Sequence, residues 1–301
     1  MIRLLLLAML LTEALLYAWL ANHLRGLGVD AWRIAAAILL FACLWRLSHA
    51  LTSYLMAAAI RFKDRRSLPL GNSLAALASE LSARAISFNW SQAFVGWAMG
   101  MEPQGGRAGP PILLVHGFFS NRGMWWRFRK RLAAAGLGPI YAVTLDPPTA
   151  SIDLMAEQLS RRIDEICRAT GAERIVVVAH SMGGLITRAY MTRRGGASIL
   201  KLITLGSPHH GTKLAAFGIG TCAGQMKWQS PWLTTLAQKE AVAPHGVPTL
   251  SIYTVNDDLV YPPESSALPW AENVPVSAVG HVGLLFSDSV AERVIAAIRR
   301  G

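Results

Sequence analysis

A serine is a weak nucleophile unless the backbone presents it openly and a base takes its proton. The run AHSMGG, Ala179 to Gly184, meets the first condition. It follows an apolar run, RIVVVA (174–179), and precedes a helical pattern over 182–194. The spacing is that of a G-x-S-x-G elbow with Ala179 in the first small position. An elbow bends so sharply that its neighbours must be small, and Ala179, Gly183 and Gly184 supply them. Ser181 then stands at a helix N-terminus, where the macrodipole favours developing negative charge. These features predict Ser181 as a nucleophile.

Eight histidines compete for the role of its base. His23 and His49 fall in apolar N-terminal segments. His180 adjoins Ser181, but neighbouring side chains diverge at an elbow, so it is expected to pack locally. His116 precedes Gly117 in a tight turn and reads as structural. His281, in VGHVGLL, follows the final apolar run and precedes the final helix, so its loop returns to the sheet edge that carries Ser181. The chain order serine, acid, histidine selects it as well.

The acid must lie between them. GSPHHGT (206–212) has no carboxylate, whereas NDDLVYP offers Asp257 and Asp258 after a strand-like run. Asp257 is preferred, because its spacing to the following Leu-Val places it at the turn and leaves Asp258 pointing outward; Asp258→Asn is then expected to cost little. Asp146, after an earlier strand, reads as a structural loop residue. An acid in this place orients the imidazole and stabilises its positive charge. An oxyanion hole needs two backbone donors. The Met182 amide follows the nucleophile directly, and the Phe118 amide lies in VHGFF, where Gly117 permits a tight turn.

Positioning these groups requires a scaffold, and the second two-thirds of the chain has the pattern of one. The runs 112–115, 140–145, 174–179, 200–205, 249–255 and 273–279 read as buried strands, with helical patterns at 124–135, 152–169, 182–194 and 287–300. Alternation of this kind predicts a mostly parallel sheet with helices on both faces, an α/β architecture. The stretch 211–240 breaks the alternation and is a candidate cap.

The pieces VHGF, AHSMGG, ITLGSPHHGT, the Asp257 turn and VGHVGLL occur in one order. In that order the chain from about 111 to 300 resembles the bacterial lipases and esterases of the α/β-hydrolase superfamily, most closely the small lipases with an AHSMGG elbow. The resemblance implies an eight-stranded-type sheet, no cofactor and acyl-ester substrates. It also implies that His209 and His210, within GSPHHGT, are structural and do not bind metal. No HExxH or clustered ligand pattern argues for a metal-dependent hydrolase.

The resemblance stops short of the first hundred residues. Ile2 to Ala21 is almost wholly apolar, and about twenty helical residues cross the hydrocarbon layer. A cleaved signal is the rival reading, but no A-x-A site follows and a second apolar segment, Trp32 to Ile60, comes next. Glu13 and Arg46 are costly in lipid and are expected to pair across a helical hairpin. The basic run RFKDRR, Arg61 to Arg66, places the following chain on the cytoplasmic side of an inner membrane under the positive-inside rule. Residues 1–66 thus read as a membrane module. Residues 67–110 read as an amphipathic helix, with Leu74, Leu77, Leu81 and Ala85 in register, followed by the Gly/Pro-rich break 102–111. Residues 111–301 read as the catalytic domain.

Composition agrees with a membrane protein. Hydrophobic residues make up 52% and charged residues 16%, and the net charge is +11. No nucleic-acid motif accompanies the basic excess, which suits either an anionic membrane surface or an ordinary solvated one. Three cysteines without metal or paired spacing argue against disulfide stapling. The cluster WWRFRKR, Trp125 to Arg131, has two readings: an interfacial acyl site with Phe118, Phe119 and Trp228, or core aromatics with a solvated cationic face. The nucleophile set would serve an esterase or lipase, and equally a thioesterase, phospholipase or acyltransferase. A non-enzymatic scaffold on the same fold is the reading of a different class.

Overall fold

All six apolar runs become strands: β1 (Ile112–Val115), β2 (Ile140–Ala142), β3 (Ile175–His180), β4 (Ile199–Leu205), β5 (Thr249–Thr254) and β6 (Glu272–Val276). They form one sheet in the order β2-β1-β3-β4-β5-β6, with every neighbouring pair parallel. The structure, a computed structural model, describes residues 1–63, 69–98, 103 and 109–300. The sheet has six strands rather than the eight expected from resemblance, because the residues described before β1 are helical and add none. The last strand is also less buried than its apolar run suggests. β6 lies at the sheet edge, largely exposed, where Pro275 costs no ladder bond.

Helices cover both faces, as the two-residue period of the strands dictates. On one face Leu113, Val115 and Val177 pack with Leu159 and Ile163 of α5 (Ile152–Thr170) and Leu185 of α6 (Met182–Arg194). On the other, Ile112, Leu114 and Val178 pack with Phe128 of α4 (Trp126–Ala134) and Val290 and Val294 of α8 (Asp288–Arg299). Side-chain caps start several of these helices; the Ser151 and Ser287 hydroxyls accept from the amides of Leu154 and Val290.

The stretch that interrupts the alternation holds a 3-10 turn (Lys213–Phe217), a one-turn helix (Thr221–Gln225) and α7 (Pro231–Val242). A buried ion pair fastens α7 to α6: Arg188 donates to both oxygens of Glu240, at 2.9 and 2.5 Å. Removing one partner strands the other charge, so Glu240→Ala is expected to cost about 3–5 kcal/mol, measured by denaturant unfolding. A loss below 1 kcal/mol would show that solvent reaches Arg188.

Two long helices precede the sheet. α1 (Ile2–Gly26) and α2 (Ala31–Lys63) each contain a window long and apolar enough to cross a membrane, with mean hydropathies of 2.0 and 1.8. The two pack together, and Arg46 meets Glu13 at 2.7 Å across the hairpin, as their cost in lipid predicts. Most of the basic run after Arg61 and most of the Gly/Pro-rich break lie outside the described residues. α3 (Leu70–Ile86) continues without a break as a π-helix, Ser87–Val95, and a last α-turn, Gly96–Ala98. Its buried face is Ala76, Glu80 and Ala83, whereas Leu74 is 58% exposed. The apolar stripe read from the sequence is therefore not the face that packs on the sheet domain.

Candidate active site

Ser181 sits between β3 and α6 with φ 55° and ψ −127°. This region is costly for a residue with a Cβ, of order 1–3 kcal/mol, and persists only where the surroundings enforce it. The surroundings are close. A Cβ on Gly183 would stand 2.6 Å from the Val115 carbonyl oxygen, and one on Gly117 would stand 2.8 Å from the Ser181 Cβ. The elbow and the loop after β1 thus approach most closely at Gly117 and Gly183. Among the described residues, neither the Phe118 nor the Met182 amide donates to another backbone or side-chain group. Both flank Ser181, and the second begins α6, where the helix dipole adds positive potential.

The Asp257 and His281 loops converge on the same edge. His281 Nδ1 lies 2.8 Å from Asp257 Oδ2, and both side chains are buried. The other Asp257 oxygen, Oδ1, accepts from the Leu259 and Val260 amides, which fixes the carboxylate plane. Burial alone would lower the imidazole pKa, but Asp257 outweighs it and, with Glu80 and Asp258, raises it above the ordinary value. Ser181 and His281 line one cavity of about 340 Å³, together with Gly117 and Phe118.

Four other histidines are held by hydrogen bonds of their own. His116 Nδ1 donates to the Gly117 carbonyl at 2.8 Å while Nε2 accepts from the Leu145 amide at 2.9 Å, which ties the loop after β1 to the end of β2. That pattern requires a neutral ring, and burial lowers its pKa. His180 lies 3.1 Å from the His281 carbonyl through Nε2, and burial pushes its pKa well down. His209 and His210 pair with the Thr204 hydroxyl and the Ala267 carbonyl.

Asp258 corrects the sequence reading. It is fully buried, and its Oδ2 meets the Arg84 guanidinium and the Ser53 hydroxyl, each at 2.5 Å. The expectation that it points outward fails because α2 and α3 cover this loop, which the sequence of the loop does not reveal. Glu80, on α3, is the site residue that sequence reasoning missed. Its Oε2 accepts from the amides of Val282 and Gly283, at 2.8 and 3.0 Å, and its Oε1 meets Arg84 at 2.6 Å. Burial, then Asp258, pushes its carboxyl up to about 7, against the opposing pull of Arg84. The one available signal was a single carboxylate in register with Ala76 and Ala83 on the helix.

The same arm reaches the loop after β1. Gln92, in the π-helical segment, accepts from the Asn121 amide through its side chain at 2.8 Å, and its carbonyl accepts from the Asn121 side chain at 3.0 Å. Arg61, at the end of α2, donates to the Asp257 carbonyl. The helices before the sheet therefore brace the loops that carry Phe118, Asp257 and His281. The aromatic cluster divides. Trp125 and Phe128 belong to the core, and Trp228 lies outside the Ser181 cavity, whereas Phe118 lines it with Phe119 packed edge-on at 4.8 Å.

Comparison with known proteins agrees with this architecture. The alpha/beta hydrolase family model matches residues 112–297. A triacylglycerol lipase of Burkholderia plantarii is 27% identical over 154 residues, which span 41% of this chain and 41% of that protein. A triacylglycerol lipase of Pseudarthrobacter phenanthrenivorans is 29% identical over 119 residues, 36% and 35% of the respective chains. The chain thus spans less than half the length of either. Among solved structures, the mature Bacillus licheniformis lipase BlEst2 superposes with a TM-score of 0.58 at 16% identity, covering 66% of this chain and 96% of that one. Aspergillus fumigatus lipase B gives 0.59 at 19% identity, over 65% and 54%. With more than half its length matched by the family model, the chain belongs to the alpha/beta hydrolase family.

Proposed function

We propose that the protein is a membrane-anchored serine hydrolase that cleaves carboxylic acyl esters through an acyl-enzyme. The observation that carries this reading is the Asp257–His281 pair, 2.8 Å apart, opening onto the cavity that also holds the strained Ser181. In this reading Ser181 Oγ attacks the ester carbonyl and His281 Nε2 takes its proton. The Phe118 and Met182 amides receive the oxyanion. Collapse breaks the acyl–oxygen bond, and His281 returns the proton to the departing alcohol. Water, deprotonated by the same imidazole, then releases the acid and frees Ser181. Asp257 holds the imidazole with Nδ1 protonated throughout. The 2.0 and 1.8 mean hydropathies of α1 and α2 support anchoring, and the basic run after α2 supports an inner membrane with the catalytic domain facing the cytoplasm.

Hydrolysis of p-nitrophenyl esters from acetate to palmitate by the full-length protein tests this reading. Turnover with a burst of p-nitrophenol is expected. No turnover on any ester, in detergent or in vesicles, would overturn it.

Glu80 has a distinct expected signature. His281 acts as a base only when neutral, so kcat/KM is expected to rise with pH through an imidazole pKa above the usual value. Glu80 is one of the carboxylates that raise that pKa. Glu80→Gln removes its charge, so the acidic limb of the profile is expected to move to lower pH. Glu80→Ala also leaves two buried amides without their acceptor and removes one of the two carboxylates that hold Arg84. At about 1.5–3 kcal/mol for a charge-assisted bond, kcat/KM is expected to fall roughly 10- to 100-fold. An unmoved acidic limb in Glu80→Gln would show that Glu80 supports the fold without acting on His281.

A further inference from the structure

The catalytic cavity is not built by the sheet domain alone. Thr52, Ser53 and Met56 of α2 line it, and Phe88 of the π-helical segment lines it beside them. These α2 residues lie just beyond the stretch Trp32–Leu51. That stretch measures about 30 Å at 1.5 Å per residue, the thickness of a hydrocarbon layer. Ile34 in this stretch is buried, but most of its large apolar side chains are exposed, Trp32, Leu39 and Leu40 each by at least 60%. α1 repeats the pattern. Leu11, Leu15 and Trp19 are more than 60% exposed, whereas Ile2 and Leu6 are buried against Ala93, beside Phe88 and Phe119. α2 therefore offers a membrane-length apolar surface and then, where it ends, becomes a wall of the cavity, while the first turns of α1 pack behind Phe88 and Phe119. The cap adds Phe217, which lines the cavity yet is 69% exposed, and Ile219 next to it is 62% exposed. An aromatic ring that is both lining and exposed marks the mouth. Large exposed apolar side chains at a mouth are stable when lipid rather than water meets them.

We propose, building on the ester-hydrolase reading, that the substrate is a long-chain acyl ester lipid of the bilayer that enters the cavity directly from the membrane, past Phe217, with α2 at Thr52 and Met56 forming the wall against its acyl chain. The hairpin is then part of the substrate site as well as an anchor.

The test uses the full-length protein in vesicles of phosphatidylcholine and phosphatidylglycerol. Its probes are soluble p-nitrophenyl acetate and bilayer-dissolved p-nitrophenyl palmitate. In Met56→Trp the palmitate-to-acetate ratio of kcat/KM is expected to fall at least tenfold, with thermal unfolding reporting that the variant is folded. A second measurement avoids altering the wall. A palmitoyl glycerolipid carrying a diazirine at its chain end is photolysed with Ser181→Ala protein, which cannot consume it. Adducts are expected on the α2 peptide around Thr52–Met56. An unchanged ratio in a variant that still cleaves acetate, or adducts that avoid α2, would overturn the α2 wall while leaving the hydrolase reading intact. Failure of the unaltered protein on both esters would overturn the hydrolase reading and this inference with it.

Discussion

Ser181→Ala is expected to lower turnover of p-nitrophenyl acetate by about five to six orders of magnitude, to a residue set by whatever the Phe118 and Met182 amides and the pocket still provide. The size follows from how the groups act. Without the hydroxyl there is nothing for His281 to deprotonate, so the imidazole and Asp257 contribute almost nothing on their own. For the same reason His281→Ala is expected to cost a similar factor, and the double variant little more than either single one, because members of one relay are not additive. The substitution itself is mild. Alanine removes one oxygen from a position whose backbone strain is enforced by Gly117, Gly183 and the strands around it, so the elbow stays formed. Thermal unfolding close to that of the unaltered protein is the control. Turnover within tenfold of the unaltered protein would remove Ser181 from the chemistry.

The second large effect is expected from Asp257→Asn, about 10⁴-fold in kcat. The asparagine fills the same space, but it offers His281 Nδ1 either an N–H where an acceptor is needed or a neutral oxygen where a charge is needed. The imidazole then loses the partner that stabilises its protonated form. Asp258→Asn should behave differently. Asp258 Oδ2 faces Arg84 and Ser53, not the imidazole. Its loss is expected to appear first as stability, about 1.5–3 kcal/mol for a charge-assisted contact, with a much smaller effect on kcat. Measuring kcat and unfolding for both variants separates the roles, and a larger loss of kcat in Asp258→Asn would exchange the assignments.

The adjacent aspartates mark where the sequence was readable and where it stopped. The strands could be read because parallel strands between helix layers are wet on neither face, so ILLV and RIVVVA are apolar without interruption. The elbow could be read because its backbone demands small residues at fixed offsets. Asp257 could be placed because its own turn carries the spacing. The environment of Asp258 could not, because it is set by Ser53 and Arg84, which lie 205 and 174 positions away in sequence. α3 shows the same limit. Its period was plain, but the leucines that reveal a helix are not the residues it buries, and the side chain that reaches the His281 loop is a glutamate. β6 was overrated for a related reason. Its alternating valines suit a strand, but nothing in the run shows that, among the described residues, no further strand pairs with it to cover it.

Glu80 and Gln92 hold the His281 and Asn121 loops from outside the matched family region. A version cut at residue 111, the boundary that alignment suggests, would discard the clamps as well as the two long apolar helices. The Val282 and Gly283 amides and the Asn121 amide would lose their acceptors to water, and the loops they position would be free to drift. Production of an active form therefore depends on carrying the hydrophobic arm through purification, in detergent or nanodiscs, instead of trimming it for convenience.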